Sequence, residues 1–289
     1  MKNALIKLHT AVFLWGFTGV LGRLISLNEG LLVWYRMVIT IISLYFIMRI
    51  SGQLQKVAAP HRNRLFFIGV IVALHWCFFY GSIKYSNISI ALTCLSAAGL
   101  FTSILEPIMT GKKINPVEVL LGSIGIAGIM LIFHFDPQYK TGIILGLTCT
   151  FLSCIFSILN KKQVALTASK TMMLYELTGG FIFLTFMMPF YLYIFPTKVM
   201  IPTAPDVLWL VLLSWVCTLL AMDLSLQALK KVTAFTQNLT LNLEPVYGIV
   251  LAFVVYHENK YLSKWFYLGF SLILLAVVLQ MSRIIRKRA

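Results

Sequence analysis

Ten apolar segments, most of them about twenty residues long and joined by short polar connections, make up nearly the whole chain. They run roughly over Leu5–Ile25, Gly30–Ile50, Leu65–Ile83, Ile88–Thr110, Pro116–Phe135, Thr141–Asn160, Thr171–Phe195, Asp206–Ala228, Val232–Tyr256 and Leu262–Ser282. About 20 apolar residues at 1.5 Å rise each cross the hydrocarbon core of a bilayer as a helix. Lipid offers no partner to an open strand edge, so helices are the structure that such segments adopt. Charged residues are only 11% of the chain, against about 25% in a soluble domain. The longest polar connection, Ser51–Arg64, is basic and too short for a soluble domain. The sequence therefore predicts one all-α integral membrane domain with ten transmembrane helices. Lys2 and Lys7 ahead of the apolar run Ala11–Ile25 suit a signal peptide, but no A-x-A cleavage site follows, so this run is expected to be the first helix.

The net charge of +15 would suggest nucleic acid in a soluble protein. Here position matters more than total. With a cytoplasmic N-terminus, 17 of the 24 Lys and Arg residues fall on the cytoplasmic side, 6 fall opposite, and Arg36 lies inside a span. The positive-inside rule then predicts cytoplasmic termini, and no nucleic-acid partner is expected. Cys77, Cys94, Cys149, Cys154 and Cys217 all lie in apolar segments without metal-ligand spacing and read as buried thiols. Neither a metal nor a cofactor is expected.

The halves resemble each other. Val33-Trp34-Tyr35-Arg36 aligns with Met173-Leu174-Tyr175-Glu176 at an offset of 140, and Lys84 to Ser86 with Lys231 to Thr233 at 147. The second offset also sets Gly122 on Gly269. Five spans per half is an odd number, so units over 1–140 and 141–289 would be inverted relative to each other. Inverted repeats place a site at the midplane where the halves meet. Leu105-Glu106-Pro107 and Leu243-Glu244-Pro245 share letters at an offset of 138, which sets them at different depths. The fifth segment holds Gly122, Ser123, Gly125, Ala127 and Gly128, a pattern for close helix packing.

Few ionisable groups interrupt the spans: Arg36, His75, Glu106, Glu176, Asp223 and Glu244. A guanidinium in a span costs at least a few kcal/mol and needs a partner or a wet cavity. Glu244 stands beside Pro245, which lacks a backbone donor and frees a carbonyl one turn back. Glu106, Glu176 and Asp223 have two readings, as functional groups or as rim residues paired with loop lysines. His75 also reads as a hydrogen-bonded interior histidine. Gln237 and Glu244 share a helical face, and Asn238 and Asn242 form a second polar stripe. Trp15, Tyr35, Trp76, Tyr80 and Tyr175 lie in or beside the same helices, as cavity walls or as interfacial belt residues. The expected substrate site is thus Arg36, Tyr35, Trp15, His75, Trp76, Tyr80, Tyr175, Glu176, Gln237, Asn238 and Glu244. Expected coupling or gating residues are Glu106, Pro107, Asp223, Glu244 and Pro245. No H-E-x-x-H, G-x-S-x-G, Walker or G-x-G-x-x-G motif occurs, so an enzyme is not expected.

With Trp15-Gly16, Tyr35-Arg36, Leu105-Glu106-Pro107, Leu243-Glu244-Pro245 and Glu258 in view, the chain resembles the drug/metabolite transporter superfamily, and within it the EamA-type ten-helix permeases. The likeness covers essentially the whole chain. Lys112-Lys113 departs from it by replacing a G-E-like turn. The resemblance implies a bacterial-type inner-membrane exporter or exchanger of amino acids or related amphipathic compounds. Arg36 suits a carboxylate, and Glu244 an amine or a proton. The expected partners are a small-molecule substrate, protons and membrane lipids, with the protein a monomer or weak dimer. A lipid-handling or flippase role, an intramembrane enzyme and a sensory scaffold stay open beside this reading.

Overall fold

Polar residues at the segment boundaries start the helices. Asn28 Oδ1 accepts the Leu31 N–H at 2.9 Å, and Asn87 Oδ1 accepts the Ile90 N–H at 2.8 Å. Thr203 and Asp206 form a reciprocal capping box. Each satisfies backbone donors that a helix start leaves open. The computed structural model describes residues 2–111, 113–135, 137–241 and 243–288; the side chains at 133, 135, 234, 235, 238, 239, 277, 280, 281 and 284–288 lie outside that description.

The described residues form helices joined by short non-helical connections. The helices are α1 (Lys2–Gly16), α2 (Thr18–Leu24), α3 (Glu29–Ile50), α4 (Ala59–Tyr85), α5 (Ile88–Leu95), α6 (Ala98–Thr110) and α7 (Pro116–Phe135). They continue as α8 (Lys140–Gln163), α9 (Ser169–Ile194), α10 (Ala204–Ser214), α11 (Ala221–Leu229), α12 (Ala234–Leu241), α13 (Glu244–Tyr256) and α14 (Lys264–Arg288). A π-helical stretch, Trp215–Leu220, joins α10 to α11. Among the described residues seven helical stretches are long and apolar enough to cross a membrane, and Pro116–Ile132, Glu244–Tyr256 and Lys264–Ala276 are shorter apolar helices.

Three segments that read as continuous are split. The first breaks at Phe17, the fourth at Ser96–Ala97 and the ninth just ahead of Glu244. The two Leu-Glu-Pro tripeptides therefore differ in local role. Pro245 sits in the first turn of α13, where its missing N–H leaves no gap in the ladder. Pro107 lies inside the continuous helix α6.

Backbone proximity fixes the centre of the bundle. Helix α4 lies along α8 and α9, while α7 lies along α14. A Cβ on Gly69 would come within 1.7 Å of the Glu176 carbonyl oxygen, and one on Gly180 within 2.5 Å of the Gly69 carbonyl. Gly128 and Gly269 meet in the same way, each 2.4 Å from the other's carbonyl by that measure. Large apolar side chains such as Phe46, Phe67, Phe186 and Phe190 point outward, as a lipid-facing surface requires.

Polar contacts gather at the two ends. At one end the Glu258 carboxylate accepts the Ile88 and Ser89 N–H groups (3.1 and 2.9 Å) and the Ser89 hydroxyl (2.6 Å), and pairs with Arg23. There Asp206 also accepts the Ser26 N–H and hydroxyl at 2.7 and 2.6 Å. At the other end Lys161 Nζ donates to the Leu229 and Val232 carbonyls (2.7 and 2.6 Å), and Lys162 Nζ to the Met109 carbonyl (2.9 Å).

The crossing of α4 and α9 predicts a sharp contrast between two glycines. Gly69→Ala should lower stability by roughly 1–3 kcal/mol, because a backbone carbonyl cannot yield to the new methyl group. Gly125→Ala should be close to silent, since nothing lies within 4 Å of its Cβ position. Thermal unfolding of the detergent-solubilised variants measures both.

Candidate functional site

Four helix irregularities surround one cavity of about 100 Å³. At the three breaks the turn tightens to i→i−3 bonding: Phe17 N–H to Leu14 O at 3.3 Å, Ser96 to Thr93 at 3.1 Å and Leu243 to Thr240 at 3.0 Å. Each break contributes residues from both of its sides to the wall, namely Trp15 and Thr18, Leu95 and Ala98, and Leu241 and Glu244. The π-helical stretch contributes Cys217 and Thr218. Widening of the helix there releases the Cys217 carbonyl, which accepts the Trp15 indole N–H at 2.9 Å and reaches Arg36 Nη2 at 3.5 Å.

Arg36 is the cation of this site and is only 2% exposed. Its Nε donates to Thr218 Oγ1 at 2.7 Å and its Nη1 to the Tyr80 hydroxyl at 2.8 Å. The guanidinium carbon lies 3.9 Å from the Trp76 ring centroid, close enough for a cation–π contact. The Thr218 hydroxyl in turn donates a hydrogen bond to the Leu213 carbonyl at 2.9 Å, five residues back. Helix α3 thus brings the charge in, and helices α4 and α10–α11 supply its acceptors and its aromatic floor.

The Glu244 carboxylate belongs to the same cavity, in the first turn of α13, where a helix dipole favours negative charge. Among the described residues no ion pair joins it to Arg36. The cavity therefore offers a separate cation and anion. A third wall comes from α8, whose Thr150, Ser153, Ser157 and Asn160 recur on one face. Gln237 Nε2 donates to Ser225 Oγ at 2.7 Å, and its carbonyl accepts from Ser157 at 3.4 Å. His75 Nδ1 lies 2.9 Å from the Cys149 carbonyl and 3.1 Å from its sulfur. Phe79, Phe156 and Trp76 complete an aromatic side.

Of the residues expected from sequence, Trp15, Arg36, His75, Trp76, Gln237 and Glu244 line the cavity. Tyr80 stands behind Arg36 and holds it. Tyr35 and Tyr175 stand away: their hydroxyls donate to the Met200 and Gln55 carbonyls at 3.2 and 3.4 Å. Glu176 is fully buried beyond the wall; it interacts with Asn160 but makes no hydrogen bond of good geometry. Asp223 accepts from Ser169 Oγ and from Gln227 Nε2, the latter at 2.9 Å, toward the lysine-capped end. Glu106 and Pro107 belong to α6 and not to the wall, and Pro245 flanks Glu244. The Asn238 side chain and Asn242 lie outside the described residues. Sequence reasoning missed the polar face of α8, although spacings of three, four and three residues from Thr150 to Asn160 mark it. Among the described residues no three His, Cys, Asp or Glu side chains converge as a metal site.

A family model described as the EamA-like transporter family matches residues 2–134 and again 140–281. A solved structure described only as "Crystal structure of protein" aligns with a TM-score of 0.72 at 15% identity, over 100% of both chains; at that identity the likeness is one of fold. Comparison with curated proteins finds no match.

The bonds around Arg36 carry a measurable stability. Thr218→Val keeps the shape and strips a buried charged donor of its acceptor, so it should cost about 1.5–3 kcal/mol. Thr148→Val, whose hydroxyl only returns to its own helix at an exposed position, should cost much less. Melting curves of the two variants in one detergent give the comparison.

Proposed function

The chain belongs to the EamA-like transporter family, and from that membership we propose a secondary carrier that exports amino acids or related amphipathic compounds by alternating access across the plasma membrane. The observation that carries this reading is the pairing of Arg36 and Glu244 across one cavity without contact. A zwitterion has a carboxylate for the guanidinium and an ammonium for the carboxylate. Trp15, Trp76, Phe79 and Phe156 suit its apolar part, and Gln237, Ser157 and Asn160 supply neutral hydrogen bonds. The volume is below the roughly 300 Å³ at which drug-sized ligand sites begin, which favours a small metabolite.

In this reading the chain crosses the membrane ten times, as inverted units over residues 1–140 and 141–289. Helices recur in paired contacts that support it: α4 with α8 and α11 with α1, α6 with α8 and α13 with α1, and α7 with α14. The break between α5 and α6 and that between α12 and α13 hold corresponding places in the two units. Both termini lie in the cytoplasm by the distribution of Lys and Arg. Protons are the proposed coupling ion, taken up at Glu244, and the working form is a monomer or weak dimer.

Counterflow in proteoliposomes, screened over amino acids, polyamines and nucleosides with and without a pH gradient, tests the proposal. Exchange of an amino acid is expected. Arg36→Gln and Glu244→Gln should each reduce it to background while the protein still inserts and remains monodisperse. Full exchange by both variants would remove this cavity as the substrate site.

A further inference from the structure

Three half-helices, α2, α5 and α13, extend from the breaks at Phe17, Ser96–Ala97 and Leu243 toward the same end of the bundle, and each packs against the other two. One side chain ties them together. Glu258 follows α13 through His257, whose left-handed backbone (φ 53°) turns the chain inward. The Glu258 carboxylate is almost completely buried, accepts both N–H groups and the hydroxyl at the start of α5, and pairs with Arg23 at the end of α2. Arg23 also lies 4.4 Å over the Tyr256 ring at the end of α13, and the Tyr256 hydroxyl donates to the Val20 carbonyl in α2 at 3.3 Å.

We propose that Glu258 is the gate-holding residue of this carrier: its carboxylate binds α2, α5 and α13 into one cap that seals the cavity at this end, and the cap swings at the three breaks when that hold is released. The inference rests on the carrier reading above and adds the position and chemistry of its gate. Glu258 is a positioning residue, since it touches helix ends and not the cavity. Its two partners differ in kind. The Arg23 side chain is 42% exposed whereas that of Glu258 is 4% exposed, so Arg23 is the partner that can leave for water. The amides of α5 are the partner that cannot find another acceptor without moving. The breaks lie level with the cavity, so tilting the half-helices opens a path directly to Trp15, Glu244 and Cys217. Helix α5 meets α8 where Cys94 packs against Gly146.

Cys217 lines the cavity and serves as a reporter that needs no substrate, so a wrong substrate assignment does not affect the outcome. The variants are made with Cys77, Cys94, Cys149 and Cys154 replaced by alanine. A membrane-impermeant thiosulfonate is added to right-side-out or inside-out vesicles, and the rate of Cys217 labelling is read from each side. Glu258→Gln and Arg23→Ala should raise labelling from the Glu258 end by about tenfold, a typical size for a shifted two-state equilibrium, and lower it from the opposite end. Arg23→Ala leaves the α5 cap in place, so it answers the question even if Glu258→Gln fails to fold. Unchanged labelling in Arg23→Ala would overturn the proposal. A rise from both ends would do so as well, because it marks a loosened bundle and not a released gate.

Discussion

A peptide carbonyl released from its helix inside a membrane has no water to turn to and must find another donor. The Cys217 carbonyl finds the Trp15 indole, with Arg36 close by. This one arrangement ties three distant stretches of chain together. The π-helical stretch is tolerated because its freed acceptor is used. Arg36 is tolerated because Thr218 and Tyr80 accept from it and Trp76 covers its face. A cavity persists beside them because these polar groups are committed to one another along its wall and do not collapse across it. Hydrogen bonds to a buried charge are worth about 1.5–3 kcal/mol each, and losing one strands the cation, so the cluster behaves as a unit.

Around that cluster the molecule divides into stiff and divided helices. The crossings at Gly69 and Gly180 and at Gly128 and Gly269 leave no side chain between backbones, and such contacts resist adjustment. The interrupted helices lie next to the cavity, where a tightened turn replaces one or two regular hydrogen bonds. Rigid crossings at the core and interrupted helices at the cavity suit the proposed carrier, which must keep its binding groups aligned while access changes.

Much of this was legible in the sequence, for identifiable reasons. Helix starts show because Asn28, Asn87 and Thr203 are polar exactly where apolar runs begin. Arg36, His75, Gln237 and Glu244 show because polarity in an apolar span is costly and needs a local explanation. Thr150, Ser153 and Ser157 were hidden because Ser and Thr in a helix commonly satisfy themselves on a carbonyl one turn back, so their presence alone signals little. Tyr35 and Tyr175 share their helices with Arg36 and Glu176, but a shared helix does not say which of its sides faces inward. The breaks at Phe17 and Ser96 have no proline to announce them.

The lysines that hold helix ends have a consequence for how the protein enters its membrane. Lys161 and Lys162 count toward the basic excess from which orientation is read, and they also neutralise the carbonyl ends of neighbouring helices. In the proposed orientation, insertion topology and helix termination are therefore written in the same side chains. A chain with these charges moved to the other face would not simply be threaded upside down; it would arrive with uncapped carbonyls where its lysines had been.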